Sequence, residues 1–132
     1  MTATVRRAQC SCGQLAATVR GDPVRVSVCH CLACQRRTGS VFGAQARFAR
    51  DDVVLEGPAS EYARVGDSGE HTVRFCPACG ATVYYTFDDQ PEVIAIPVGA
   101  FADPHFPPPS FSVYEMRRHA WVTIPGAVDH HD

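Results

Sequence analysis

The chain contains no lysine; all twelve of its basic residues are arginine. That bias carries no functional weight. Long apolar runs are missing as well. Nothing approaches the roughly 18–20 apolar residues of a membrane span, which argues against a membrane partner. The opening residues, Met1-Thr2-Ala3-Thr4-Val5-Arg6-Arg7, lack the apolar stretch of a secretory signal, so the expected location is a reducing cytoplasm. Surplus positive charge is also absent: the formal net charge is −2. Seven thiolates and two Zn²⁺ would take it to about −5. Such a body has no general attraction for nucleic acid. With 45% apolar and 20% charged residues in 132 positions, the composition is that of an ordinary globular chain, and a single domain over residues 1–132 is expected.

Isolated cysteines are a further absence. All seven cysteines fall in tight clusters: Cys10 and Cys12; Cys29, Cys31 and Cys34; Cys76 and Cys79. An odd count without a secretory signal argues against a disulfide framework, and neither Cys-x-x-Cys pair has the βαβ setting of a redox motif. Thiols one or two residues apart can instead aim two sulfurs at one point, as a tetrahedral metal requires. Seven sulfurs divide as four plus three: one closed site, and one site a ligand short. A metal with three protein ligands and an open position is the mark of catalytic zinc.

Cys76-Pro77-Ala78-Cys79-Gly80 reads as a knuckle at a hairpin tip. Pro77 fixes φ, and Gly80 can take the positive φ that turns backbone N–H groups onto the sulfurs. The interval from Cys34 to Cys76 exceeds the roughly 15–20 residues of an ordinary zinc ribbon. That favours pairing the outer clusters, although spacing alone leaves the partition open. Between the clusters, alternating apolar segments at 15–19, 24–28, 41–48, 53–55, 71–75, 82–87, 93–96, 111–114 and 121–124 predict short strands. Turn signals separate them at 21–23, 56–58, 66–69 and 88–91, and only 33–38 reads as a helical turn. The fold class is therefore mainly β.

Taken together, Cys10-x-Cys12-Gly13, then Cys29-His30-Cys31-x-x-Cys34-Gln35-Arg36-Arg37, then Arg74-Phe75-Cys76-Pro77-x-Cys79-Gly80, resemble the glutathione-dependent formaldehyde-activating enzyme family over residues 8–124. The resemblance implies a β-tent of packed antiparallel sheets with zinc-binding knuckles and two Zn²⁺ per chain. It assigns Cys10, Cys12, Cys76 and Cys79 to a structural zinc, and Cys29, Cys31 and Cys34 to a catalytic one. It also implies carbon–sulfur lyase activity on a thiol–aldehyde adduct: the reversible joining of formaldehyde and glutathione to S-hydroxymethylglutathione. The expected partner is a small thiol such as glutathione.

Around the trio, Arg36 and Arg37 are candidates to receive a substrate carboxylate through a guanidinium fork, and Thr38 and Ser40 to donate hydrogen bonds there or to cap the turn. His30 is expected to point away from the metal, as a packing or orienting group. Trp121 and Phe111 read as core or rim aromatics, residues 104–109 as a stiff connection, and Asp129-His130-His131-Asp132 as a frayed tail. The competing reading is a non-catalytic, zinc-stabilised protein-binding module, its second zinc completed by His71, His105 or His119.

Overall fold

The computed structural model describes residues 4–66 and 69–132. Strands are β1 (Val5–Gln9), β2 (Ala16–Arg20), β3 (Arg25–Cys29), β4 (Gly43–Ala49), β5 (Val53–Glu56), β6 (Ser60–Gly66), β7 (Gly69–Phe75), β8 (Thr82–Phe87), β9 (Gln90–Pro97), β10 (Phe111–Val113) and β11 (Asp129–His130); the helix α1 spans Leu32–Thr38. Among the described residues they form a three-stranded sheet, β1-β2-β5, and an eight-stranded sheet, β11-β10-β3-β4-β9-β8-β7-β6. The fold is mainly β, as the short alternating segments require. No helix of the described residues is long and apolar enough to cross a membrane.

The small sheet lies on one face of the large one. Ala8, Leu15, Ala17 and Val19 meet Val26, Ala46, Phe48, Val83, Ile94 and Ile96, and Phe101 and Phe106 close the layer. Their rings stack at 4.7 Å. Burying side chains of this size contributes about 1.5–3 kcal/mol each. Alternation in the central strands then sends every other residue to the opposite face. There the register aligns Arg25, Arg47, Ala95, Tyr85 and Val73 across five strands. A register shift between Arg74 and Phe75 leaves an extra residue in β8. Val83 and Tyr84 both pack toward the core, and Tyr85 joins the opposite face, the re-aiming that a β-bulge performs.

Four features differ from the sequence reading. Residues 121–124 form no strand: Val122 N–H turns back to the His119 carbonyl and the Arg118 side chain donates to the Val122 carbonyl, so Val122 is buried as an anchor while Trp121 is 74% exposed. The expected tail is pinned, since β11 pairs with β10 and His131 stacks on Phe111. Pairing is not wholly antiparallel; β10 runs parallel to both β3 and β11. Strands β1 and β6 were not foreseen, because each buries too little on either face to alternate clearly: β6 has no buried residue and β1 only Ala8. The turn expected at 66–69 falls in part outside the described residues.

Candidate metal centres

The first knuckle follows β1. Leu15 N–H donates to Cys10 Sγ at 3.3 Å, while Gly13 N–H bonds the Cys10 carbonyl at φ +85°. The second lies between β7 and β8. Ala78 N–H donates to Cys76 Sγ at 3.4 Å, and Gly80, at φ +79°, bonds the Cys76 carbonyl. Sheet packing brings the knuckles together. The sulfurs of Cys10, Cys12, Cys76 and Cys79 lie within 4.8 Å of one another, with Cys12–Cys10 and Cys12–Cys76 both at 3.6 Å. Sulfurs held about 2.3 Å from a tetrahedral zinc would be about 3.8 Å apart, so this donor set fits the ion. Behind the first knuckle Gly57 runs so close that a β-carbon on it would stand 1.8 Å from the Gln14 carbonyl oxygen.

The second group is local. Cys29 ends β3; Cys31 caps α1, its sulfur accepting from Cys34 N–H at 3.3 Å. The three sulfurs again lie within 4.8 Å of one another, and among the described residues no histidine or carboxylate joins them. Of the proposed fourth ligands, His119 donates through Nε2 to Gln35 Oε1 at 3.0 Å, His71 sets its ring edge against Phe87, and His105 is held by its backbone to Asp103. The Cys29 hydrogen bond, joined by Cys31 and the positive charges of Arg37 and Arg64, holds the Cys34 thiol down at about 6. Its counterpart Cys29 is pushed up by the same hydrogen bond and by burial. A trio of soft sulfur donors suits a borderline-soft cation such as zinc.

Arg37 and Arg36 part company. The Arg37 guanidinium lies 5.2 Å from the Tyr85 ring centroid and beside Gly43, the register partner of Cys29, where an added β-carbon would meet Arg37 Nη2 at 3.2 Å. Arg36 is exposed. Thr38 caps the helix end: its hydroxyl donates to the Cys34 carbonyl at 2.9 Å and accepts from Ser40 N–H at 3.0 Å. Tyr85 is buried, and burial pushes its phenol pKa up despite Arg37.

His30, fully buried between two of the cysteines, faces away from them. Ser112 donates its one proton to Glu115 Oε2 at 2.7 Å, so the 3.0 Å contact to His30 Nε2 has the imidazole as donor. His130 donates to the same carboxylate oxygen at 2.8 Å. Gln35 ties the trio to the C-terminal segment, donating to the His30 and Arg117 carbonyls. Sequence reasoning missed Tyr85, Arg64, Gln35, Ser112 and Glu115. A surface cleft of about 400 Å³ lined by Val24, Ala49, Arg50 and Glu92 opens at the far end of β4 from the cysteines and carries no thiol or histidine.

No curated protein matches the sequence. A Rhodobacter sphaeroides protein of known crystal structure shares the fold, with a TM-score of 0.58 and 20% identity over 74% of this chain and 91% of that one. The family described as glutathione-dependent formaldehyde-activating enzyme matches residues 5–117. With the sulfur clusters and the fold in agreement, the chain belongs to the glutathione-dependent formaldehyde-activating enzyme family.

Proposed function

We propose that the protein is a zinc-dependent carbon–sulfur lyase that reversibly joins formaldehyde and a glutathione-type thiol to an S-hydroxymethyl adduct. Zinc would be held at two sites, a structural one at Cys10, Cys12, Cys76 and Cys79 and a catalytic one at Cys29, Cys31 and Cys34. The observation that carries this reading is the trio itself: three converging sulfurs, no fourth ligand among the described residues, and the Arg37 guanidinium close by, resting against the Tyr85 ring. Bound at the trio, zinc supplies a positive centre that favours a substrate thiolate and polarises an aldehyde oxygen.

In the forward direction the thiol S–H gives up its proton, the sulfur forms a bond to the aldehyde carbon, and the C=O π pair becomes an oxyanion that is protonated. Tyr85, kept neutral by burial, is the hydrogen-bond donor for that oxygen. Arg37 places fixed positive charge where negative charge gathers on sulfur and oxygen. His30, Ser112 and Glu115 hold the Cys29–Cys31 turn in place. A reducing cytoplasm is the setting in which seven thiols persist.

The non-catalytic module would need its second metal closed by a protein ligand, and no histidine stands with the three sulfurs among the described residues. Metal analysis should return two zinc ions per chain. Cobalt(II)-loaded protein should change its sulfur-to-metal charge-transfer band when glutathione is added, and NMR should follow the S-hydroxymethyl product from formaldehyde. A single metal, or a band indifferent to thiols with no product formed, overturns the reading.

A further inference from the structure

The face of the large sheet that bears Cys29 continues away from the trio as an ordered strip. Cys29 pairs with Gly43, Ser27 with Gln45, and Arg25 with Arg47. Rows on one face recur every two residues, about 6.8 Å, so the arginine row begins about 13 Å from the thiol row. The middle row is polar and buried: Gln45 Nε2 donates to Ser27 Oγ at 3.1 Å, while Gln45 Oε1 is buried without a partner.

The arginine row is the anomaly. Like charges directly opposite each other on neighbouring strands are destabilising, and half-buried guanidinium groups ordinarily find carboxylates. Here they do not. Among the described residues the ion pairs are Arg6–Asp22, Arg7–Glu56, Arg74–Glu61 and His130–Glu115. The Nε atoms of both Arg25 and Arg47 are buried and unpartnered. Each guanidinium lies on an aromatic ring instead, Arg25 on Phe111 at 4.6 Å and Arg47 on Phe87 at 4.9 Å. Phe111 is the register partner of Ser27, so Arg25 leans toward the cysteines, whereas Phe87 lies two residues past Tyr85 on β8, so Arg47 leans away from them. Burial, together with the charge of Arg25, pushes the Arg47 pKa down, and the negative charge of Asp89 does not offset it.

We propose that Arg25 and Arg47, with Gln45 and Ser27 between them and the trio, form the subsite that receives a carboxylate of the thiol substrate. This deepens the lyase reading and rests on it for the thiol end. The strip thereby selects acidic thiols of peptide length over small neutral ones. A planar guanidinium stacked on a ring offers its edge to a carboxylate fork, and an anion bound on this row lowers the repulsion between the two cations.

The test uses the zinc-loaded full chain and calorimetry with three probes: glutathione, its diethyl ester with both carboxylates masked, and S-methylglutathione with the sulfur blocked. Wild-type protein should bind glutathione at least tenfold more tightly than the ester. R25Q/R47Q, its fold checked by circular dichroism, should lose that tenfold for glutathione while leaving the ester within twofold. Glutathione and ester bound equally by wild type, or a double variant that loses both alike or neither, overturns the subsite. The wild-type comparison decides the question even where the variant fails to fold. The outcomes also separate the two readings. S-methylglutathione bound through the arginines, with the cobalt band still indifferent to glutathione, keeps the subsite and removes thiol binding at the metal. A glutathione-sensitive band with arginine-independent affinity does the reverse.

Discussion

The two sulfur clusters are built from the same residue and differ in what they connect. Cys10 and Cys12 meet Cys76 and Cys79 across the junction of two sheets, so that cluster exists only when the chain is folded. Cys29, Cys31 and Cys34 come from one strand end and the first turn of one short helix. These ligands span only six residues, with Arg37, Arg64 and Tyr85 gathered around them. The four-sulfur cluster is held by backbone N–H donors, Leu15 to Cys10 and Ala78 to Cys76. Long-range ligand sets hold a fold together, whereas local ones leave the metal free to exchange a ligand.

The sharpest way to break this contrast is to remove one sulfur from each. Structural zinc is worth on the order of 10–16 kcal/mol in apparent free energy, against about 5–15 kcal/mol for a whole domain. Cys79→Ser is expected to give an unfolded or insoluble chain, whereas Cys34→Ser should stay folded, hold one fewer zinc and have no thiol-dependent activity. Circular dichroism, melting and metal content check this, and the reverse pattern would mean that the two roles are exchanged.

A smaller effect is expected at the phenol. Tyr85→Phe keeps the ring under Arg37 and removes the donor. Turnover should fall about a hundredfold, the lower end of what a positioned proton donor contributes, with both metals retained. Smaller again is the difference between neighbouring arginines. Arg37→Ala should weaken glutathione roughly tenfold, in keeping with about 1.5–3 kcal/mol for a charge-assisted bond, and Arg36→Ala should change it little. Calorimetry on the two variants would sharpen which half of the original pair serves the site.

The least effect lies in the network behind His30. Hydrogen bonds from His130 and Ser112 hold the Glu115 carboxyl below its usual value. A depressed carboxyl contributes stability above its unfolded pKa of about 4.3 and loses it as pH falls through the folded value. Glu115→Gln should therefore melt below wild type at pH 7, by no more than about 1 kcal/mol for so exposed a partner. The gap should close in acid, and melting curves across pH 3–7 would show it.

Much of this was legible in the residues. The cysteine spacing announced two clusters, and Pro77 and Gly80 announced the second knuckle. Period-two alternation announced most strands. What escaped was the other half of that same alternation. Arg25, Ser27 and Cys29 occupy one face of β3, and Gly43, Gln45 and Arg47 the facing positions of β4. Read as solvated positions between apolar ones, they carry no signal; only the register that sets them opposite each other makes a strip. Tyr85 was hidden for a similar reason, because the β-bulge that re-aims it is invisible without its partner strand. The pinned tail could not be foreseen either, since its partners Phe111 and Glu115 lie well upstream.

Gly57 touches no sulfur, yet its crowding against Gln14 limits how this chain can vary. Along most of the surface a lineage can exchange one side chain for another and let selection judge the chemistry. At position 57 chemistry never comes into question. Every replacement begins with the same β-carbon, and that one atom displaces the loop that carries Cys10 and Cys12. The position is thus as closed to inheritance as a cysteine, for reasons of space and of a backbone turned to φ +92°.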